Sequence, residues 1–411
     1  MRRIQFVAGL VAAFPLGAQQ APRWFATWAP SYLAAPAALR DSVDRVPVFV
    51  DRTVRQIVRT TLGGDRVRIR LTNEYGERPL VIGAAHIAIR DSGTATRNGT
   101  DRTITFGGRA TVTIRPGGVV TSDAVDLRIP ALGDLAISLW VQDTIRTTTR
   151  HAAAHQSNYV SARGDFTETV RLTPDTTTTM WLWLAGVDVI NSTATGVIVA
   201  IGNSITDGTG TTLDANTRWP DVLARRLTDA REAPKGIVNA GIGGNRVLSP
   251  LTGPSALARF DRDVLMQPGA THVVVLEGIN DLTRGTAPAD PRDSVGAADI
   301  IFGYQQLIVR AHERGLLIYG ATLTPIGGMN RPTTTAVDAK RRTINEWIRI
   351  GGGFDGVIDF DAATRDPAQP DRFLPAFDSG DHLHPSDAGY KAMGESIDLA
   401  LFRRTMPAQR P

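Results

Sequence analysis

The stretch Val197-Ile198-Val199-Ala200-Ile201-Gly202-Asn203-Ser204-Ile205-Thr206-Asp207-Gly208 decides the fold. Its first five residues are apolar and mostly β-branched, the texture of a strand buried on both faces. The run stops at Gly202, and two residues later Ser204 stands in a polar turn closed by Gly208. In open α/β sheets the carboxyl ends of the strands are where chemistry is done. Ser204 is therefore a candidate nucleophile, although a serine here can also serve only as a helix cap.

Toward the C-terminus, runs of the same buried type recur at 237–242, 272–277, 316–323 and 357–360. Between them apolar residues fall at helical spacing. Trp219, Val222, Leu223 and Leu227 share one face, and Ile300, Tyr304, Leu307, Ile308 and Ala311 share another. Ile344, Trp347 and Ile348 make a third, and Met393, Ile397 and Leu401 make a final helix. Strand and helix in alternation predict a parallel sheet covered on both sides.

Toward the N-terminus the texture changes. From about Trp24 to Trp183 short alternating runs recur at 66–72, 84–89, 103–106, 110–114 and 134–141, with Gly, Asp and Asn between them. No 15-residue stretch there has helical periodicity. This pattern predicts an antiparallel β-sandwich. Its histidines His86, His151 and His155 lack a neighbouring carboxylate pair and read as structural, so no metal site is expected. Trp181 and Trp183 read as core or contact residues. The expected organisation is a leader over 1–18, a β-sandwich over 19–190, a polar linker over 191–196, and an α/β domain over 197–411.

Composition narrows the function classes. The 411 residues are 42% hydrophobic and 21% charged, ordinary for a globular chain. The formal charge of +4 includes Arg2 and Arg3, and the remaining basic residues form no block beside stacking aromatics. Nucleic-acid binding is not expected. Arg2-Arg3, the apolar stretch 6–16 and the small residues Gly17 and Ala18 read as a secretory leader, too short to span a bilayer. The expected location is secreted or periplasmic, without a membrane anchor. The absence of cysteine removes disulfides, thiol catalysis and thiolate metal sites.

Four segments carry chemistry: Gly202 to Ser204, Asn239 to Asn245, Glu277 to Asp281, and Asp381 to Pro385. A serine hydroxyl needs a base to take its proton, and the base needs an orienting group. Asp381 and His384 stand three apart in a proline-terminated loop, so one short turn can hold carboxylate and imidazole together. His382, adjacent to Asp381, is worse placed. An anionic intermediate also needs donors aimed at its oxygen. The backbone N–H groups of Ser204 and the glycine-rich turn, with an asparagine side-chain amide, can supply three.

These four blocks, in this order, resemble those of the SGNH (GDSL-type) hydrolases. Ser204, Gly244, Asn280 and His384 match the four motif residues, and Asp381 matches the acid of the last block. The resemblance covers about 196–405. It is nearest to the secreted acetylxylan-esterase and arylesterase branch, through Glu277-Gly278-Ile279-Asn280-Asp281, the stretch 322–325, and His384-Pro385-Ser386-Asp387-Ala388-Gly389-Tyr390. A β-rich part ahead of the catalytic one, opening with Thr27-Trp28, fits that branch too.

The resemblance implies a flavodoxin-like three-layer α/β/α domain and a serine esterase needing no cofactor. Ser204, His384 and Asp381 would be its triad. The Ser204 and Gly244 amides and the Asn280 side chain would form the oxyanion hole, with Asn203, Asn245 and Gly278 in support. The expected substrate is an ester, foremost a short acyl group on a polysaccharide such as xylan. The alternatives are an aryl or lipid esterase of lysophospholipase type, or a non-catalytic carbohydrate-binding protein. One residue departs from the family: Asn203 stands where an aspartate is usual. The exchange keeps the shape and removes one charge, so tuning is expected rather than loss.

Overall fold

The computed structural model describes residues 23–35, 48–146, 148–231, 233–284, 294–329 and 335–405. The expected leader lies outside the described residues. The strand that opens the C-terminal half is Gly196–Gly202, and all seven of its residues are buried. It lies inside a five-stranded parallel sheet, between Lys235–Gly241 on one side and Ala270–Leu276 on the other. Leu317–Ala321 and Gly356–Ile358 extend the sheet beyond Ala270–Leu276. Order therefore reverses at the first strand, and the ends of Gly196–Gly202 and its neighbours open there, at the kind of switch point where α/β proteins bind ligands.

The helices fall into two packed groups. Trp219–Ala230 packs on Asp387–Ser396, which also meets Phe360–Thr364. Ala297–Glu313 packs on Thr335–Arg349 and on Ala256–Phe260. Their apolar faces are the ones the spacing predicts: Trp219, Val222, Leu223 and Leu227 are buried, as are Ile300, Tyr304, Leu307, Ile308 and Ala311. The final helix is shorter than its spacing predicts. It ends at Ser396; Ile397 turns extended while staying buried, and a 3-10 turn, Leu399–Arg403, follows under an Asp398 cap.

The N-terminal part is antiparallel throughout its described strands. One sheet runs Trp24–Trp28, Leu184–Ile190, Gly64–Thr72 and Val119–Thr121, with Val125–Ile129 also paired to Gly64–Thr72. The larger sheet is centred on Arg52–Arg59, Asp134–Val141 and Leu80–Ser92. Arg52–Arg59 has no clean alternation, because it is covered on both faces and Arg55 and Gln56, on opposite sides, are both buried. The Arg55 guanidinium is satisfied there by Ser138 Oγ and the carbonyls of Thr94, Thr167 and Thr169. Gln56 clamps Leu182 through both its amide atoms.

This part covers the open edge of the parallel sheet, where unpaired backbone would otherwise invite association. Thr61 Oγ1 bridges Ile237, accepting from its N–H at 2.8 Å and donating to its carbonyl at 2.9 Å. Ala26 lies so close that a Cβ at Gly236 would sit 2.2 Å from its carbonyl oxygen. Trp181 and Trp183 are buried; Trp181 packs edge-on against Trp28 and Trp183 against Phe49.

Candidate active site

Ser204 opens a one-turn helix, Ser204–Asp207, directly beyond the buried strand. Asn203 caps it: its Oδ1 accepts from Ile205 N–H at 3.0 Å. Gly202 permits the sharp entry, since a Cβ there would stand 2.2 Å from Thr206 Oγ1 and 2.5 Å from the Leu276 carbonyl oxygen. Ser204 is 8% exposed, at the end of the sheet.

The loop before the last helix brings His384 to it. Ser379 N–H bonds the His384 carbonyl at 3.1 Å, and Asp378 and Pro385 form a β-bridge. Asp381 Oδ1 accepts the N–H groups of Leu383 (2.9 Å) and His384 (2.8 Å), which fixes the turn. Its Oδ2 lies 2.5 Å from His384 Nδ1, and His384 Nε2 lies 2.8 Å from Ser204 Oγ. With Nδ1 donating to the carboxylate, Nε2 is the lone-pair nitrogen and accepts from the Ser204 hydroxyl. Such a row can carry a proton from hydroxyl to imidazole. Burial pushes the Asp381 carboxyl up, but the bonds from His384 and Leu383 outweigh it and bring it down to about 2. His382 is held elsewhere, its Nδ1 2.5 Å from Asp378 Oδ2.

The glycine-rich turn lies beside Ser204. Gly244 has φ +79°, which only glycine adopts freely. The N–H groups of Ser204 and Gly244 meet no acceptor among the described residues, whereas Gly243 N–H is bound to Asp207 Oδ2 at 3.1 Å. Asn280 donates one amide hydrogen to the Asn245 carbonyl at 2.9 Å, leaving the second. Asn245 itself donates to the carbonyls of Thr252 (3.0 Å) and Pro254 (2.8 Å). Asp281 clips the same loop by accepting from Val247 and Leu248 N–H. Gly278 is left-handed, at φ +115°, and a Cβ would stand 2.9 Å from Tyr304 Oη.

Beneath these loops lies a residue that sequence reasoning missed. Arg259 is fully buried, and its guanidinium reaches three of the four motif segments. Nε donates to Asn245 Oδ1 at 2.9 Å, Nη1 to the Ala240 carbonyl at 2.7 Å, and Nη2 to the Gly202 carbonyl at 2.9 Å. Asp263 balances its charge at 3.0 Å, and Ser31 from the N-terminal part joins both. Glu277 lies 3.8 Å away as an ion pair and accepts from Asn203 Nδ2 at 3.2 Å. Burial pushes the Glu277 carboxyl up to about 8, against the pull of Arg259. Asn203 therefore faces a carboxyl that burial holds toward its neutral form, and its amide donates to it. The sequence signal for Arg259 is slight: an arginine in the short apolar helix Ala256–Phe260.

Residues 200–392 match the model of the GDSL-like lipase/acylhydrolase family. No curated protein matches the chain. Solved structures of similar fold include an acetyl xylan esterase from Geobacillus stearothermophilus, at 22% identity and TM-score 0.38, covering 49% of this chain and 93% of that one. An α/β hydrolase enzyme from the metagenome of Lake Arreo matches at 23% identity and TM-score 0.39, over 51% of this chain and 95% of its own. The M. smegmatis aryl esterase matches at 14% identity and TM-score 0.38, over 49% and 95%.

Proposed function

Residues 200–392 form a GDSL-like lipase/acylhydrolase domain, which makes this chain a carboxylic ester hydrolase, and we propose that it works through Ser204, His384 and Asp381. Ser204 Oγ attacks the ester carbonyl while its proton passes to His384 Nε2. The carbonyl oxygen gains the negative charge and is held by the Ser204 and Gly244 N–H groups and by Asn280 Nδ2. The carbon–alkoxy bond then breaks, and His384 gives the proton to the leaving alcohol. Water attacks the acyl-serine in turn, losing a proton to His384, which returns it to Ser204 as the acid departs. Asp381 keeps Nδ1–H oriented and stabilises the imidazolium. The observation that carries this reading is the row Asp381–His384–Ser204, at 2.5 Å and 2.8 Å.

The substrate we propose is a short acyl ester on a polysaccharide. The segment 209–217 beside Ser204 is small and polar, and it is tied to the last helix through Thr212 and Thr217 on Asp387 and Tyr390 Oη on the Thr209 carbonyl. A long acyl chain needs a wide apolar groove instead. A second polar run in the sequence, 283–293, lies mostly outside the described residues. Export through the leader at 1–18, without a membrane anchor, belongs to the same proposal. No described helix is long and apolar enough to cross a membrane. In architecture, we read the antiparallel part as a β-sandwich and the parallel part as a three-layer, flavodoxin-like domain joined through 191–196.

Acetate release from acetylated xylan, measured beside p-nitrophenyl acetate with Ser204→Ala as control, tests the reading. Cleavage of both, lost in the variant, supports it. Cleavage of the activated ester alone leaves the serine chemistry standing and overturns the polysaccharide assignment.

A further inference from the structure

We propose that His151, in the antiparallel N-terminal part, is a positioning residue for the esterase site: as a buried imidazolium it fixes Asp207, and Asp207 fixes the Gly243–Gly244 turn. This rests on the serine-esterase reading above and assigns the N-terminal part a share in the catalytic geometry.

The ring's neighbours carry the argument. His151 Nδ1 lies 2.7 Å from the Ser31 carbonyl oxygen. Nε2 lies 3.0 Å from Asp207 Oδ1 and 3.1 Å from the Ala153 carbonyl oxygen. Each of these oxygens accepts, so a neutral imidazole would turn one lone pair onto a carbonyl or a carboxylate. A proton on each nitrogen satisfies every contact. The ring and the carboxylate are buried, 3% and 5% exposed in their side chains, where an unpaired charge is costly and a completed pair is kept.

Asp207 passes the constraint on. Its second carboxylate oxygen accepts Gly243 N–H at 3.1 Å, one residue before the N–H proposed for the oxyanion. Asp207 also ends the one-turn helix that Ser204 begins. At Gly241 a Cβ would come within 2.3 Å of Asp207 N, so the strand end and the helix are in close contact. A continuous run from Ser31 and Ala153 through His151 and Asp207 thus reaches the turn beside the nucleophile.

The other charged or titratable groups near the pair are Arg218, whose guanidinium lies over the Trp181 ring, His155, and Tyr390, whose hydroxyl burial and Asp207 hold in its neutral form. Burial holds His155 down to about 4, so it is neutral. Arg59 and Asp221 line the same small cavity, about 30 Å³, which is room for one water. Burial pulls the His151 ring down, but Asp207 and the two carbonyls outweigh it and the net shift is upward.

The full-length chain tests this with p-nitrophenyl acetate. His151→Asn keeps a donor for Ser31 and cannot reach Asp207, so kcat is expected to fall about 10- to 100-fold with KM nearly unchanged. In His151→Gln the amide reaches Asp207, and kcat is expected to return to within about threefold of the parent at pH 7. The parent loses kcat at alkaline pH as His151 gives up its proton, whereas His151→Gln lacks that limb. A His151→Asn enzyme with the parent's kcat, or a His151→Gln profile with the parent's alkaline limb, overturns the proposal. If His151→Asn does not fold, the His151→Gln profile alone decides. Ser204→Ala is run alongside, and activity in that variant overturns the serine-esterase reading instead.

Discussion

Two histidine–aspartate pairs lie on either side of Ser204, and they are built for opposite tasks. In Asp381–His384 both partners come from one loop, three residues apart, and the carboxylate side chain is 46% exposed. In His151–Asp207 the partners come from the two halves of the chain, 56 residues apart, and both are buried. The outer ring faces a carboxylate on one nitrogen and a hydroxyl, which can both give and accept, on the other. Its proton can move. The inner ring faces acceptors alone, so its protons are fixed in place. The partners around an imidazole, more than its nearness to the serine, separate a base from a brace.

That contrast can be broken at several points. Ser204→Ala removes the group the outer ring serves. Hydrolysis of p-nitrophenyl acetate is expected to fall about 10⁶-fold, with the melting temperature kept. Asp381→Asn leaves the shape and removes the charge that fixes the tautomer, and a loss of about 10⁴-fold in kcat is expected. Since the Asp381 carboxyl is held down at about 2, it stays ionised through mildly acid pH. Loss of activity on mild acidification should then not come from Asp381, and an Asp381→Asn enzyme that keeps the parent's kcat at neutral pH would contradict its role.

The buried cluster should answer in stability as well. Arg259→Leu leaves Asp263 with Arg262 alone but strips the buried carbonyls of Gly202 and Ala240 of their donor and unties three loops, and is expected to cost about 3–5 kcal/mol in chemical denaturation. Glu277 sharpens the point through pH. Its native carboxyl is raised to about 8 from an ordinary value of 4.5, so its contribution is full in acid and lost as pH rises through about 8. Glu277→Gln keeps an acceptor for Asn203 and should flatten that alkaline decline in melting temperature. At the exposed extreme, Lys391→Ala breaks the surface pair with Glu395 and is expected to change stability by under about 0.5 kcal/mol.

The chain's own residues explain how much of this could be read ahead. The five parallel strands stand out because burial on both faces writes them as apolar runs. Ser204, Asp381 and His384 stand out because local turns hold them, so sequence distance mirrors distance in space. Arg52–Arg59 does not read as a core strand, since its Arg55 and Gln56 are made acceptable by acceptors contributed from far along the chain. Of the run expected over 103–106 only Thr103 lies in a strand, Arg102–Thr103, and Phe106 bridges back onto Arg109 across the turn at 107–108. His151 read as a structural histidine for the same reason as Arg259 went unseen. Each draws its role from partners in other elements, and no spacing records them. Asn203 was legible as a substitution, but its meaning depends on Glu277, 74 residues away.

The central claim is that Ser204 is the nucleophile and carries the acyl group. Treating the full-length chain with a fluorophosphonate and mapping the modified peptide tests it most directly. One adduct per chain is expected, on Ser204, with hydrolysis lost in step with labelling. An adduct on another residue that abolishes activity, or hydrolysis that continues once Ser204 is fully labelled, would contradict it.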